Sequence, residues 1–253
     1  MKKNTTAASG PVRLNKFLAD HGIASRRKAD EMIDEGRVQV NGRKVFELGI
    51  KIDPSKDKVK VGGKLVGAKP QPVYFVFNKP KSVVTSTYDP QGRPVVLDFF
   101  RRIKKRIFPV GRLDWDTEGL LLMTNDGDFA NEITNPKSNI SKTYHAKLDG
   151  IPTDKQLDKL KRGVSIIGGK VRAVHLKRLK KGSSNKKEWI EITITEGKNR
   201  QVRKMFEKIG YDVEKLKRVS IGELKLSALK PGEYRPLTAK DLTKLFAKPK
   251  LKK

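Results

Sequence analysis

The chain has no cysteine in its 253 residues, which excludes a disulfide framework and any thiolate-held metal. Its three histidines, His21, His145 and His175, are scattered without ligand spacing, so metal catalysis is not expected. No apolar run is long enough to span a bilayer, and the first ten residues carry two lysines but no apolar segment of signal-peptide length. The expected setting is soluble and cytoplasmic. Acidic residues are also scarce. Asp and Glu number 28 against 57 Lys and Arg, a formal net charge of +29, and a field of that sign concentrates polyanions. Nucleic acid is the expected partner. The cations interleave with periodic apolar positions, which puts most of the charge on folded surface rather than in one tail. With 36% hydrophobic residues, the chain has room for one or two real cores.

Residues 1–11 are small and polar, and are expected to be disordered. Order begins at Val12. Leu14, Phe17 and Leu18 fall at i, i+3 and i+4 of a short helix that Gly22 ends. Ser25 has the position of an N-cap for a second helix with Ala29, Met32 and Ile33 inside and Gly36 just past its end. Arg26, Arg27 and Lys28 crowd the first turn of that helix, where each cation opposes the macrodipole by a few tenths to about 1 kcal/mol. A phosphate there reverses the sign; the alternative is a merely solvated basic face. Val38 and Val40 then alternate into Asn41-Gly42, a hairpin signal, and a further hairpin around Gly62-Gly63 closes the unit. This span resembles the alpha-L motif, a small RNA-binding domain of ribosomal-protein type, with Arg13, Ser25, Arg26, Arg27, Ala29, Gly36, Val38, Val40, Asn41 and Gly42 in matching places. The resemblance implies that Arg13, Lys16, Ser25, Arg26, Arg27, Lys28 and Asn41 contact RNA. The domain is placed at residues 12–68, with a proline-marked linker at 69–72.

A second domain, placed at 73–240, opens on the strand Val73–Phe77, which runs into Asn78-Lys79-Pro80. Asp89-Pro-Gln-Gly-Arg-Pro94 follows, then a short helix at 95–100 and a basic run at 101–106. The stretch from Phe108 to Thr124 sets Asp114, Asp116 and Glu118 beside Arg112 and continues into the apolar segment Leu120–Met123, which reads as a buried strand. By pattern alone it is a charged turn entering a strand. A capped helix after Asn125, a strand at 142–148 and a helix at 153–162 come next, followed by a basic loop at 177–187 and a strand at 189–196. A last helix has Val202, Met205, Phe206 and Ile209 inside, with Arg203 on the border of that face and Arg200 and Lys204 further out. Residues 241–253 read as a basic tail.

Three ordered motifs here resemble those of the pseudouridine synthases. Gly111-Arg-Leu-Asp114 with Thr117, Gly119 and Leu120–Leu122 is similar to the first, Lys142-Thr-Tyr144 to the second, and Glu196-Gly-Lys-Asn-Arg-Gln-Val-Arg-Lys-Met205 to the third. Leu216–Gly222 matches the closing segment, and Asn78-Lys79-Pro80 and Asp89–Pro94 are family features. The family commonly has Gly near positions 81 and 82, where this chain has Lys81-Ser82. The resemblance implies an α+β catalytic domain with a mixed, largely antiparallel sheet, and a reaction that detaches uracil from its ribose, turns it and rejoins it through carbon. No cofactor and no metal are needed. It gives Asp114 the essential carboxylate, Arg203 the cation that pairs with it, and Tyr144 the ring for a flipped base. Lys79, Arg112, Lys142 and Arg200 are expected to contact RNA. The implied partner is ribosomal RNA or a ribosomal-subunit precursor, bound by a monomer, and Asp-Trp-Asp-Thr-Glu-Gly-Leu-Leu-Leu favours a large-subunit target. The rivals are a non-catalytic RNA-binding or assembly factor, and a nucleoside hydrolase using Asp114 with Asp116 as paired carboxylates.

Overall fold

The computed structural model describes residues 10–179 and 187–247. Residues 1–9, the centre of the basic loop and the final Lys248–Lys253 segment lie outside the described residues. The chain divides after Pro72 into two compact units.

In the first unit the helices Leu14–Asp20 and Arg26–Asp34 pack through Leu14, Leu18, Ala29 and Ile33 onto Val38, Ile52 and Val59. Ser25 is extended, and its hydroxyl accepts from the Lys28 amide at 3.2 Å, so the N-cap forms as the sequence predicts. Asn41 and Gly42 both adopt positive φ, 52° and 83°, the backbone of a tight primed turn whose twist suits a hairpin. That turn joins Val38–Val40 to Arg43–Val45, and Val59–Val61 with Lys64–Leu65 completes a four-stranded sheet.

The second unit is built on a nine-stranded sheet. Its main path runs from His175–Arg178 through Trp189–Ile194, Lys142–Leu148, Val213–Ile221, Thr117–Thr124 and Tyr74–Lys79 to Tyr234–Pro236, with Leu224–Lys225 added beside Val213–Ile221 and Phe108–Val110 beside Thr117–Thr124. Among the described residues its pairings are antiparallel except that of Thr117–Thr124 with Val213–Ile221. The sheet is therefore mixed and largely antiparallel, and the class is α+β. Thr117–Thr124 is apolar without alternation because both faces are covered. Leu120 and Leu122 meet Phe129 and Ile133 of the helix Gly127–Thr134, whereas Leu121 and Met123 face the larger core with Phe77 and Phe100.

One detail departs from the sequence reading, and a second answers a question it raised. Residues 241–246 are not tail but most of the helix Ala239–Phe246, started by a reciprocal Thr238–Asp241 capping box and anchored by the fully buried Leu245. Leu242 and Leu245 supply its apolar stripe, obscured in the sequence by flanking lysines. Ser82, which stands where the family commonly has Gly, has φ 56°. It keeps the left-handed backbone that glycine adopts without strain, with its amide donating to the Trp115 carbonyl at 2.9 Å.

Candidate active site

The first motif becomes a loop between the strands Phe108–Val110 and Thr117–Thr124. Gly111, at φ 72°, turns the chain, and Thr85 Oγ1 donates to the Leu113 carbonyl at 2.6 Å. The loop rests on a fully buried lysine. Lys79 Nζ donates to the carbonyls of Thr117, Pro80 and Asp114 at 2.9, 3.0 and 3.2 Å. Burial pushes this ammonium down to about 8, against the pull of Asp116, Asp114 and Glu118. The expectation that Lys79 touches RNA is therefore corrected: on an inward-facing strand position it has no exposed atom to offer, and it props the loop that carries Asp114.

Beside the loop opens a cavity of about 450 Å³, within the range that holds a small ligand. Asp114 lines it together with Arg112, Lys142, Tyr144, Arg200 and Arg218. The third motif distributes its cations differently from expectation. Arg200 Nη1 comes to 4.0 Å from Asp114 Oδ2 and 3.8 Å from Asp116 Oδ1. Arg203 Nη2 instead lies 2.8 Å from Asp116 Oδ2, in ion-pair contact, while Nη1 donates to the Val213 carbonyl. The reason is local. Arg200 is the N-cap of the helix Gln201–Glu207 and sits in left-handed backbone, φ 51° and ψ 32°, which helical spacing does not show. Arg203 does turn inward, but it tethers the far shoulder of the loop. Asp116, held there and absent from the cavity lining, is not placed as the second carboxylate of a hydrolase.

Tyr144 is buried in the strand Lys142–Leu148 and reaches the same cavity. Directly across the ladder is Arg218, a residue the sequence reading passed over. Its Nε donates to the Leu120 carbonyl at 2.7 Å, its Nη1 lies 3.5 Å from the Tyr144 hydroxyl, and its guanidinium carbon is 6.0 Å from the centre of the Tyr144 ring. Alternation within Leu216–Gly222 gives Arg218 the same side as Leu216, but the pairing with Tyr144 depends on a register that one strand does not display. Gly119 makes this closeness possible. At φ 109°, its missing Cβ would lie 2.3 Å from the Arg218 carbonyl oxygen.

Residues 73–208 match the profile of the RNA pseudouridylate synthase family, and residues 12–57 match the S4 domain. The chain belongs to the RNA pseudouridylate synthase family. It is 48% identical over 235 residues to the ribosomal large subunit pseudouridine synthase B of Bacillus subtilis, covering 93% of this chain and 96% of that protein. It is 37% identical over 252 residues to the dual-specificity RNA pseudouridine synthase RluF of an Escherichia coli O6:H1 strain, covering 95% and 83%. A crystal structure of a pseudouridylate synthase superposes with a TM-score of 0.65 at 31% identity, covering 92% of this chain and 99% of that one.

In this synthase the S4 domain presents Arg13, Arg26 and Arg27 to solvent. Lys28 pairs with Glu31 and Lys16 with Asp20, each at 2.7 Å. Ser25 is engaged as a cap, and Asn41 donates to Asp57 at 2.8 Å and accepts from the Lys58 amide at 2.9 Å. The side chains of Ser25 and Asn41 thus have jobs inside the domain, and the exposed arginines form its basic edge.

Proposed function

We propose that the protein isomerises uridine to pseudouridine at a specific position of large-subunit ribosomal RNA, acting as a cytoplasmic monomer on the RNA or on a precursor particle. One observation carries the assignment of roles. Asp114 and Tyr144, from separate segments, line one cavity of about 450 Å³, next to the parallel pairing of Thr117–Thr124 with Val213–Ile221. A stacked uridine must leave its helix to react, and the Tyr144 ring offers its base a new surface. Asp114 is the anionic partner at the ribose, on a loop braced by Lys79 and Thr85. Arg112 and Arg200, both exposed at the cavity, suit the phosphates that flank an extruded nucleotide.

Support for the large-subunit target is the 48% identity to a synthase named for that subunit; the dual-specificity relative argues for mapping other RNAs in the same experiment. Pseudouridine mapping in RNA from a deletion strain is expected to show one large-subunit position lost, restored by the wild-type chain and not by Asp114→Asn. In vitro, Asp114→Asn is expected to hold RNA as the parent does while forming no isomer. Isomer formation by the purified variant removes the role given to Asp114.

A further inference from the structure

Lys142, expected from the sequence to contact RNA, is instead buried beside the cavity, and so is Arg218. They are 7% and 4% exposed, and both line the cavity. Neither has a carboxylate in ion-pairing distance among the described residues. Among those residues Lys142 Nζ reaches only the Thr195 carbonyl, at 3.4 Å, and the buried Arg218 Nη2 has no hydrogen-bond partner. Buried unpaired cations are costly, and here burial first, and then Arg218, push Lys142 down to about 8. Packing alone gives no reason to keep two such charges in an apolar interior. An anion arriving between them does.

Depth decides which anion. The phosphates of an RNA chain must stay where the chain continues, at the cavity mouth, where Arg112 and Arg200 are exposed. Only the extruded base reaches the buried region, and Arg218 already lies beside the Tyr144 ring on which that base would stack. We infer that Lys142 and Arg218 form an electrostatic seat for the uracil ring, stabilising the negative charge it carries while detached from the ribose. This rests on the isomerase reading above. Opening the C1′–N1 bond leaves its electron pair on the base, spread over N1 and the carbonyl oxygens, and leaves C1′ electron-poor opposite the Asp114 carboxylate. Closing C1′–C5 uses a ring electron pair; C5 then loses its proton and N1 gains one, so nothing is gained or lost overall. The charge exists only in mid-reaction. Fixed cations aimed at it therefore favour the transition state over bound uridine.

The test uses the full-length protein and a ribosomal RNA fragment that the wild type modifies. Single-turnover rates at saturating enzyme, RNA affinity across a salt series and melting temperature are compared for wild type, Lys142→Met, Arg218→Met and Arg218→Lys. The expected result for Arg218→Met is a rate about 10²- to 10³-fold lower, with affinity within about twofold and the salt slope unchanged. Lys142→Met loses rate in the same pattern, and Arg218→Lys regains at least about tenfold of what Arg218→Met loses. Should Arg218→Met not fold, Lys142→Met and Arg218→Lys give the answer. Weaker RNA binding with a salt slope lower by about one per residue overturns the proposal in favour of a phosphate clamp. Parental rates in the methionine variants overturn it outright, as does Arg218→Lys turning over as slowly as Arg218→Met. If the wild type itself forms no isomer in any RNA, the isomerase reading fails, and that result is separate from all of these.

Discussion

The Nζ of Lys79 lies 3.2 Å from the backbone carbonyl of Asp114, so the proposed catalytic carboxylate stands on a loop fastened from below by a buried ammonium. The same nitrogen holds Pro80 and Thr117. Lys79→Met keeps the length of the side chain but leaves three carbonyls short of a donor, a change worth about 1–3 kcal/mol for a single unsatisfied buried group. The variant is expected to melt lower and to lose turnover more than RNA affinity. The pH dependence has a definite sign. The folded value of about 8 lies below that of a free lysine, so the unfolded chain holds this proton more tightly. The group's contribution to stability is thus least favourable below pH 8 and improves as pH rises from about 8 towards 10.5, by at most about 1.4 kcal/mol per pH unit. Lys142, also pushed down to about 8 by burial and then by Arg218, acts in the same window. Denaturant midpoints measured across that window should rise less with pH in Lys79→Met than in the wild type.

The division of labour between Arg200 and Arg203 is open to a double-mutant cycle. Arg203→Met and Asp116→Asn should be coupled in stability, and Arg203→Met alone should cost about 1–2 kcal/mol through its lost charge-assisted bonds. Arg203→Met and Asp114→Asn should add to within about 0.5 kcal/mol. Arg200→Met, at an exposed position, should leave stability within about 0.5 kcal/mol while slowing turnover. Strong coupling of Arg203 to Asp114 would restore the pairing read from the sequence.

For the S4 domain, Arg26→Ala with Arg27→Ala is expected to weaken RNA binding and to lower the log-log salt slope by up to about 2 if both contact phosphate. Helix stability should hold or rise slightly, because the cations oppose the macrodipole at an end capped by Ser25. A slope equal to that of the parent would mark them as a solvated face.

Much of this was legible in advance where the signal is local. Ser25 as a cap, Asn41-Gly42 as a hairpin turn and Leu120–Met123 as a buried strand each depend on neighbours within a few residues. What was not legible depends on partners far along the chain or on one backbone angle. Lys79 looks like any lysine until Asp114 and Thr117 fold over it. Arg218 gains meaning from its ladder partner Tyr144, 74 residues away. Arg200 stays exposed as the helical wheel has it, but its left-handed N-cap backbone, which helical spacing does not show, brings its guanidinium to 4.0 Å from Asp114. Only motif resemblance joins Asp114 to Tyr144 in the sequence, since no pattern of spacing brings the two segments to one cavity.

Tyr144→Phe isolates the hydroxyl. The ring remains, so base stacking, worth about 1–3 kcal/mol per base, and with it RNA affinity, should survive. The hydroxyl lies 3.5 Å from Arg218 Nη1. Its loss removes one neighbour of the guanidinium and any proton transfer it performs, so turnover is expected to fall by about 10²- to 10⁴-fold. Tyr144→Leu should damage affinity and turnover together. Single-turnover rates and RNA titrations on both variants separate the cases. If Tyr144→Phe turns over at the parental rate, Tyr144 is a platform only, and the proton moves through Asp114 or water. If its melting temperature falls sharply instead, the hydroxyl served the packing of a residue 8% exposed, and its reactive role is withdrawn.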